Sequence, residues 1–374
     1  MGLQEYRSKW RVYPGAPAGT TVSYVRTRLA VLLLRMMGMG RPETSIVIAG
    51  DGQMGLAMAA IATEAGAESV TVWGPFAEEL NRVRDTRQSP RLPGWSVPVS
   101  IEFASDEAVF EGATLVLNAI PTQFIRDVWS TLGSRLASDA LVVSTAKGLD
   151  ATTGERPSEL LSSAIGGSIQ EVSLSGPTIA AELIKKLPAV MLAASPNPQA
   201  AAATAAAFTT PWLRIYESED LLGVELAGAL KNVIALAAGM CDGLGLGFNA
   251  KSALLARGLA EMARFGVAAG ARKETFFGIA GVGDLATTCF SPQGRNRSCG
   301  EAIGRGAKLE EYIADQLCVV EGVPTVKSVL RASQEYRIDM PITSAISTIL
   351  FDDVAPRDAI AVLMNRPANT EGLR

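Results

Sequence analysis

The stretch from Ser45 to Trp73 constrains the fold more than any other part of the chain. SIVIAG, from Ser45 to Gly50, is a short β-branched apolar run that reads as a buried strand. GDGQMG follows from Gly50 to Gly55, LAMAAIATEAGA then reads as a helix, and SVTVW, from Ser69 to Trp73, is a second strand. Strand, G-x-G-x-x-G, helix, strand is the order of a dinucleotide-binding turn. Gly50 makes the tight turn, Gly52 lets backbone amides approach a pyrophosphate, and Gly55 lets helix and strand pack closely. The phosphates would sit at the helix N-terminus. An acid at the end of the second strand usually accepts the ribose 2′-OH of NAD. Here Trp73 is followed by Gly74, Pro75 and Phe76, with Glu78, Glu79 and Arg82 expected on an exposed helix face. The choice between NAD and NADP stays open.

Further strand-like runs follow: TLVLNAI (Thr114 to Ile120), ALVVSTA (Ala140 to Ala146), EVSLS (Glu171 to Ser175) and AVMLAA (Ala189 to Ala194). Helical segments separate them, so the N-terminal part is expected to be an α/β, Rossmann-type domain with a mostly parallel, doubly wound sheet. Ligands of such sheets sit at the carboxyl ends of the strands. Those ends carry Pro121, the pair Lys147-Gly148, and Gly176-Pro177. Lys147 there is either a group that reaches a substrate anion or an ordinary solvated loop lysine.

From about Asp220 the strand signals stop and an all-α C-terminal domain is expected. It opens on ELAGALKNVIALAAGMCDGLGLGFNAKSALLARGLAEM, from Glu225 to Met262. This places Lys231 inside an almost wholly apolar helix, with a Gly-rich loop expected from Gly239 to Gly247. Desolvation lowers the pKa of such a lysine toward neutrality, where it can exchange protons. The chain has no histidine, so proton transfer must fall to other groups. The helix alone also permits a lysine that merely snorkels out of a core. GIAGVG, from Gly278, leads into Asp284. SPQGRNRSCG, from Ser291, reads as a loop carrying Arg295, Asn296 and Arg297, donors suited to a phosphate or to an ordinary surface loop.

The chain of 374 residues is long enough for about two domains. The expected division is an extension over 1–40, a dinucleotide-binding domain over 41–218 and a helical substrate and catalytic domain over 219–374. A net charge of −4 argues against a general nucleic-acid footprint. The 4 cysteines form no C-x-x-C pair, and without histidine a zinc site is not expected. Widely spaced thiols suggest a reducing compartment. Residues 1–40 carry a single acid, Glu5, and the run LAVLLLRMMGM from Leu29 to Met39, which Arg35 interrupts and which is too short to span a bilayer. A poorly ordered tail or a docked amphipathic helix is expected, with no stable membrane insertion.

Behind GDGQMG, the segments ELAGALKNV, DGLGLGFN, GVGDLATTC and GRNR in that order resemble the NAD(P)-dependent glycerol-3-phosphate dehydrogenases. The resemblance runs from about Ile46 to Arg366 and includes RLPG at Arg91 to Gly94, VEGV at Val320 to Val323, and VLMNRP. It implies that Lys231 is the proton-transfer group and that Lys147 contacts substrate and cofactor and orders the site. Asp284 is implied as the third catalytic residue and Thr288 as a residue lining the site. Asn232, Arg295 and Asn296 are implied to bind substrate. Gly50, Gly52, Gln53, Met54, Gly55, Trp73, Pro121, Arg295 and Glu321 are implied on the cofactor, NAD or NADP. Met54 stands where the family often has an aromatic residue, Pro75 lies where bacterial members often carry Arg or His, and the family's T-R-G appears as Ala256-Arg257-Gly258. The expected reaction is interconversion of sn-glycerol 3-phosphate and dihydroxyacetone phosphate in a cytoplasmic homodimer, supplying glycerophospholipid synthesis. The alternatives are a dehydrogenase for a related phosphorylated hydroxy compound and a non-catalytic dinucleotide-binding regulator.

Overall fold

In the computed structural model, the structure describes residues 44–166, 169–316 and 319–367. The expected extension over 1–40 lies outside the described residues. Eight strands form one sheet: β1 (Ser45–Ala49), β2 (Ser69–Trp73), β3 (Ile101–Ala104), β4 (Leu115–Asn118), β5 (Leu141–Ser144), β6 (Gln170–Ser175), β7 (Ala189–Ala194) and β8 (Leu213–Ser218). Their order is β3-β2-β1-β4-β5-β6-β7-β8. The first six strands are parallel, β7 pairs antiparallel with β6, and β8 runs parallel to β7. The first six thus take the 3-2-1-4-5-6 order whose direction of winding reverses between β1 and β4, where such sheets bind ligands.

Both faces of the sheet are covered. One apolar cluster joins Ile46, Ile48 and Val72 to the Gln53–Ala65 helix, and another joins Val47, Trp73, Phe110 and Trp129 on the opposite face. Two-sided burial is why the inner strands read as continuous Val/Ile/Leu runs. The edge strands β3 and β8 escaped the sequence reading for the converse reason. IEFA and LRIYES each expose a face and carry charges.

After β8 every described element is helical. The Leu221–Gly243 helix is the centre of this part. Asp220 caps it by accepting the Gly223 N–H at 3.0 Å, and every residue from Gly223 to Met240 is buried. It is long and apolar enough to cross a membrane, yet 94% of its most apolar window is buried inside the protein. It is tied to the Pro157–Ile165 helix by buried Glu225, which accepts from Arg156 at 2.7 Å and from the Ser158 N–H at 2.9 Å.

Two loops expected from glycine content are helical. The central helix runs through Gly239 to Gly243, leaving only residues 244–246 before the Gly247–Ala268 helix. Arg295 opens the Arg295–Gly304 helix. The glycines serve a close helix crossing instead. A Cβ on Gly239 would fall 1.9 Å from the Arg297 carbonyl oxygen, and one on Gly300 would fall 2.0 Å from that of Leu236. Only glycine at both places lets the two backbones approach so closely.

Candidate active site

Three glycines shape the turn after β1. Gly50 has φ +117°, the left-handed region, and a Cβ there would stand 3.1 Å from the Ala119 carbonyl. A Cβ on Gly55 would lie 1.9 Å from the Gly50 carbonyl oxygen. A Cβ on Gly52 would meet no protein atom within 4 Å. Gly50 and Gly55 are therefore required by the fold, whereas Gly52 borders open space. No side chain caps the Gln53–Ala65 helix, and its first turn holds no acid. Its free N–H groups and positive dipole end are suited to a pyrophosphate.

Trp73, expected on the cofactor, ends β2 beside this turn. Its ring is 5% exposed and packs edge-on against Phe110, with centroids 5.6 Å apart. Its carbonyl meets the turn, accepting the Gly50 N–H at 2.8 Å. Gln53 is exposed at the helix start and donates to the Arg91 carbonyl at 2.6 Å, and Met54 is half-buried beside it. Pro121 caps the short 3₁₀ turn Thr122–Phe124 after β4.

From this turn the site extends along the carboxyl ends of β4 and β5. Glu321 Oε1 accepts the Thr122 N–H at 3.0 Å and the Thr122 hydroxyl at 3.1 Å, pinning the helical part to the β4 loop. Gly148 fits beneath Thr122, where a Cβ would come within 2.8 Å of the hydroxyl oxygen. Next to it, Lys147 Nζ donates to Asp284 Oδ2 at 2.6 Å and to the Gly176 carbonyl at 3.0 Å. Its side chain is 14% exposed, so it is no solvated loop lysine. Its backbone carbonyl accepts from Asn232 Nδ2 at 2.7 Å.

Lys231 reaches the same carboxylate from the central helix. Its Nζ lies 2.9 Å from Asp284 Oδ1 and donates to the Thr288 hydroxyl at 2.5 Å. That hydroxyl donates in turn to Asp284 Oδ1 at 3.2 Å. Thr288 follows Asp284 by one helical turn on the Asp284–Phe290 helix, which places both on one face. Gly228, three residues before Lys231, leaves room for the Lys147 stem: a Cβ there would stand 3.4 Å from Lys147 Cγ.

The cluster has one carboxylate and two ammonium groups. Burial pulls the Lys231 pKa down to about 8; Asp284 opposes this fall and Lys147 adds to it. Burial pushes the Asp284 carboxyl up, but Lys147 and Lys231 outweigh burial and hold it below the usual carboxylate range. An ammonium has three N–H donors. Each lysine uses two within the cluster, leaving one apiece for an incoming oxygen. Such a group can give a proton to, or take one from, an oxygen near neutrality.

Arg295 and Asn296 lie at the edge of this cluster. A Cβ on Gly294 would stand 2.9 Å from the Thr288 carbonyl oxygen, so the Arg295–Gly304 helix begins beside Thr288. Asn296 is buried and its Oδ1 accepts the Gly322 N–H at 2.9 Å, next to Glu321. Arg295 is exposed and donates to the Val319 carbonyl at 3.1 Å. The sequence reading missed the Gly176 carbonyl and Thr122 as partners in the site. Neither carries a sequence signal beyond lying at a strand end.

A dinucleotide-type turn joined along the strand ends to a buried lysine with its pKa lowered to about 8 fits a nicotinamide-dependent dehydrogenase with a sheet domain and a helical domain. Comparison with known proteins narrows this. The chain belongs to the NAD-dependent glycerol-3-phosphate dehydrogenase family: the family's N-terminal model matches residues 45–201 and its C-terminal model matches residues 220–361. A glycerol-3-phosphate dehydrogenase (NAD(P)+) of Salinibacter ruber is 40% identical over 333 residues, 88% of this chain and 96% of the relative. One from Geobacillus thermodenitrificans is 39% identical over 87% of this chain and 96% of its own length. The crystal structure of glycerol-3-phosphate dehydrogenase from Coxiella burnetii superposes with TM-score 0.82 at 31% identity, covering 87% of this chain and 99% of that one.

Proposed function

We propose that the enzyme interconverts sn-glycerol 3-phosphate and dihydroxyacetone phosphate, with NAD or NADP as cofactor. The observation that carries this reading is Lys231, buried on Asp284 and Thr288 with a pKa lowered to about 8. The open space beside Gly52 and the uncapped helix start fit the cofactor's pyrophosphate. When bound, the nicotinamide cofactor supplies or accepts the hydride. Lys231 then gives its proton to the C2 carbonyl oxygen during reduction and takes it back during oxidation. The remaining N–H groups of Lys147 and Lys231 favour negative charge developing on that oxygen. Asp284 holds both ammonium groups in place, and Asn232 holds Lys147 through its backbone carbonyl.

Arg295, Asn296 and the N–H groups opening the Arg295–Gly304 helix would take the substrate phosphate, beside Thr288. Glu321, fixed to Thr122, would border the cofactor at Pro121. The reading extends to a cytoplasmic homodimer that supplies glycerol 3-phosphate for glycerophospholipid synthesis; sedimentation tests the oligomer. The activity is tested by following oxidation of NADH and of NADPH with dihydroxyacetone phosphate beside other phosphorylated ketones. A rate on another ketone phosphate exceeding that on dihydroxyacetone phosphate would reject this substrate.

Arg295→Lys keeps the charge but loses the planar fork that matches phosphate oxygens. Affinity for dihydroxyacetone phosphate is expected to weaken by about 1.5–3 kcal/mol, the scale of a charge-assisted hydrogen bond. A non-phosphorylated analogue should lose little. Equal losses on both would place Arg295 away from the phosphate.

A further inference from the structure

Asp51 is out of keeping with its position. It stands between Gly50 and Gly52, so a fixed carboxylate occupies the turn that is to receive two phosphate charges. Arg91, from the RLPG segment 40 residues on, answers it. Arg91 NH1 donates to Asp51 Oδ2 at 2.7 Å and contacts the Asp51 carbonyl at 3.3 Å. Its NH2 donates to Glu79 Oε2 at 3.2 Å, and its backbone carbonyl accepts from Gln53 Nε2 at 2.6 Å. The Asp51 and Arg91 side chains are 15% and 26% exposed, so water screens the pair only in part. The Asp51 carboxyl carbon lies 3.4 Å from where a Cβ on Gly74 would stand, just past β2. The segment around Arg91 therefore clasps the turn at two points, one on Asp51 and one on Gln53.

We propose that Arg91 is a positioning residue for the cofactor, neutralising Asp51 and holding the turn so that the pyrophosphate of either NADH or NADPH is accepted. This rests on the reading of Gly50 to Gly55 as the pyrophosphate turn. Arg91 has another conceivable task, reading the 2′-phosphate of NADP. The charges decide against it. Two carboxylates, Asp51 and Glu79, face one guanidinium, so the group offers a dianionic 2′-phosphate no net positive charge. Removing Arg91 instead exposes the Asp51 charge to the pyrophosphate common to both cofactors.

The test measures dissociation constants for NADH and NADPH by nicotinamide fluorescence, with melting temperatures alongside. The proteins are the parent, Arg91→Leu, Asp51→Asn, the double variant and Gly52→Val. Arg91→Leu is expected to weaken both cofactors by roughly tenfold or more, as an uncompensated, only partly screened like charge near the pyrophosphate implies. The double variant should recover to within about threefold of the parent, because the charge that needed a counter-ion is gone. Asp51→Asn should bind at least as tightly as the parent. Gly52→Val should weaken both while melting like the parent, since a Cβ there meets no protein atom within 4 Å. A loss in Arg91→Leu confined to NADPH would assign Arg91 to the 2′-phosphate and overturn the proposal. A loss that Asp51→Asn does not recover would make Arg91 a fold element only, and no loss at all would remove its role. If Gly52→Val binds both cofactors like the parent, the placement of the pyrophosphate is wrong and the proposal falls with it.

Discussion

Replacing Lys231 by methionine is expected to lower turnover of dihydroxyacetone phosphate by about 10²–10⁴-fold, or about 3–5 kcal/mol of barrier, in a protein that still folds and binds cofactor. Methionine keeps the apolar stem in the buried helix and removes only the ammonium. Asp284 keeps Lys147 as its partner at 2.6 Å, so no buried charge is left alone. Melting near the parental temperature follows. A lysine that only snorkelled from a core would give the opposite pattern, with turnover intact. Near-parental turnover in a folded Lys231→Met protein would therefore sink the assignment.

The same lysine sets the pH dependence. Reduction of the ketone needs Lys231 protonated, and oxidation of the alcohol needs it neutral. With its pKa lowered to about 8 by burial, the rate of reduction should fall as pH rises through about 8, while that of oxidation should rise through the same point. Stability follows a different course. The folded pKa lies below the unfolded value, so between about 8 and the usual lysine range the unfolded chain binds more protons, and stability rises with pH across that window. The burial penalty on the ammonium is fully present below it. Profiles of both directions with no inflection near 8, or with the same slope, would contradict the proton transfer.

How much of this was legible beforehand differs between the fold and the site. Inner strands announced themselves because both faces are buried, which leaves no alternation to confuse the reading. The edge strands β3 and β8 did not, because Glu102 in one and Arg214, Tyr216 and Glu217 in the other break the apolar run. Glycine misled twice. Gly239 and Gly243, and Gly300, look like loop signals in a single sequence, and only the facing helix gives them their purpose. Within the site, Lys231 stood out because its neighbours along the helix are almost all apolar. Its partnership joins it to Lys147 and Asp284, which themselves stand 137 residues apart. Spacing carries no trace of it, and the resemblance to a family supplied it. The burial of the Trp73 ring and the closing of Arg91 on Asp51 depend on three-dimensional packing that spacing along the chain does not carry.

Asp284→Asn is expected to cost about 3–5 kcal/mol of stability at pH 7, the scale of losing one partner from a buried ion pair. Asp284 is 1% exposed and each of its oxygens holds one lysine. Asparagine has nearly the same shape, so packing is preserved and the charge is what is tested. Its amide group would turn a donor toward one ammonium, and two buried cations would face each other without a carboxylate. The folded protein can relieve this by releasing a proton from Lys231, whose pKa would fall further below about 8 once Asp284 no longer opposes that fall. Between that lowered value and about 8 the variant's folded state binds fewer protons than the parent's. Its stability therefore climbs more steeply with pH there, and its deficit should shrink as pH is raised toward about 8. Denaturant titrations of both proteins at several pH values measure this. A deficit below about 1 kcal/mol at pH 7 would mean that solvent, not Asp284, balances the two lysines. A deficit that stays constant with pH would mean that the loss comes from packing. Turnover should fall with stability in the same variant, because on the proposed mechanism the carboxylate that holds Lys147 and Lys231 would also aim their remaining N–H groups at the substrate oxygen.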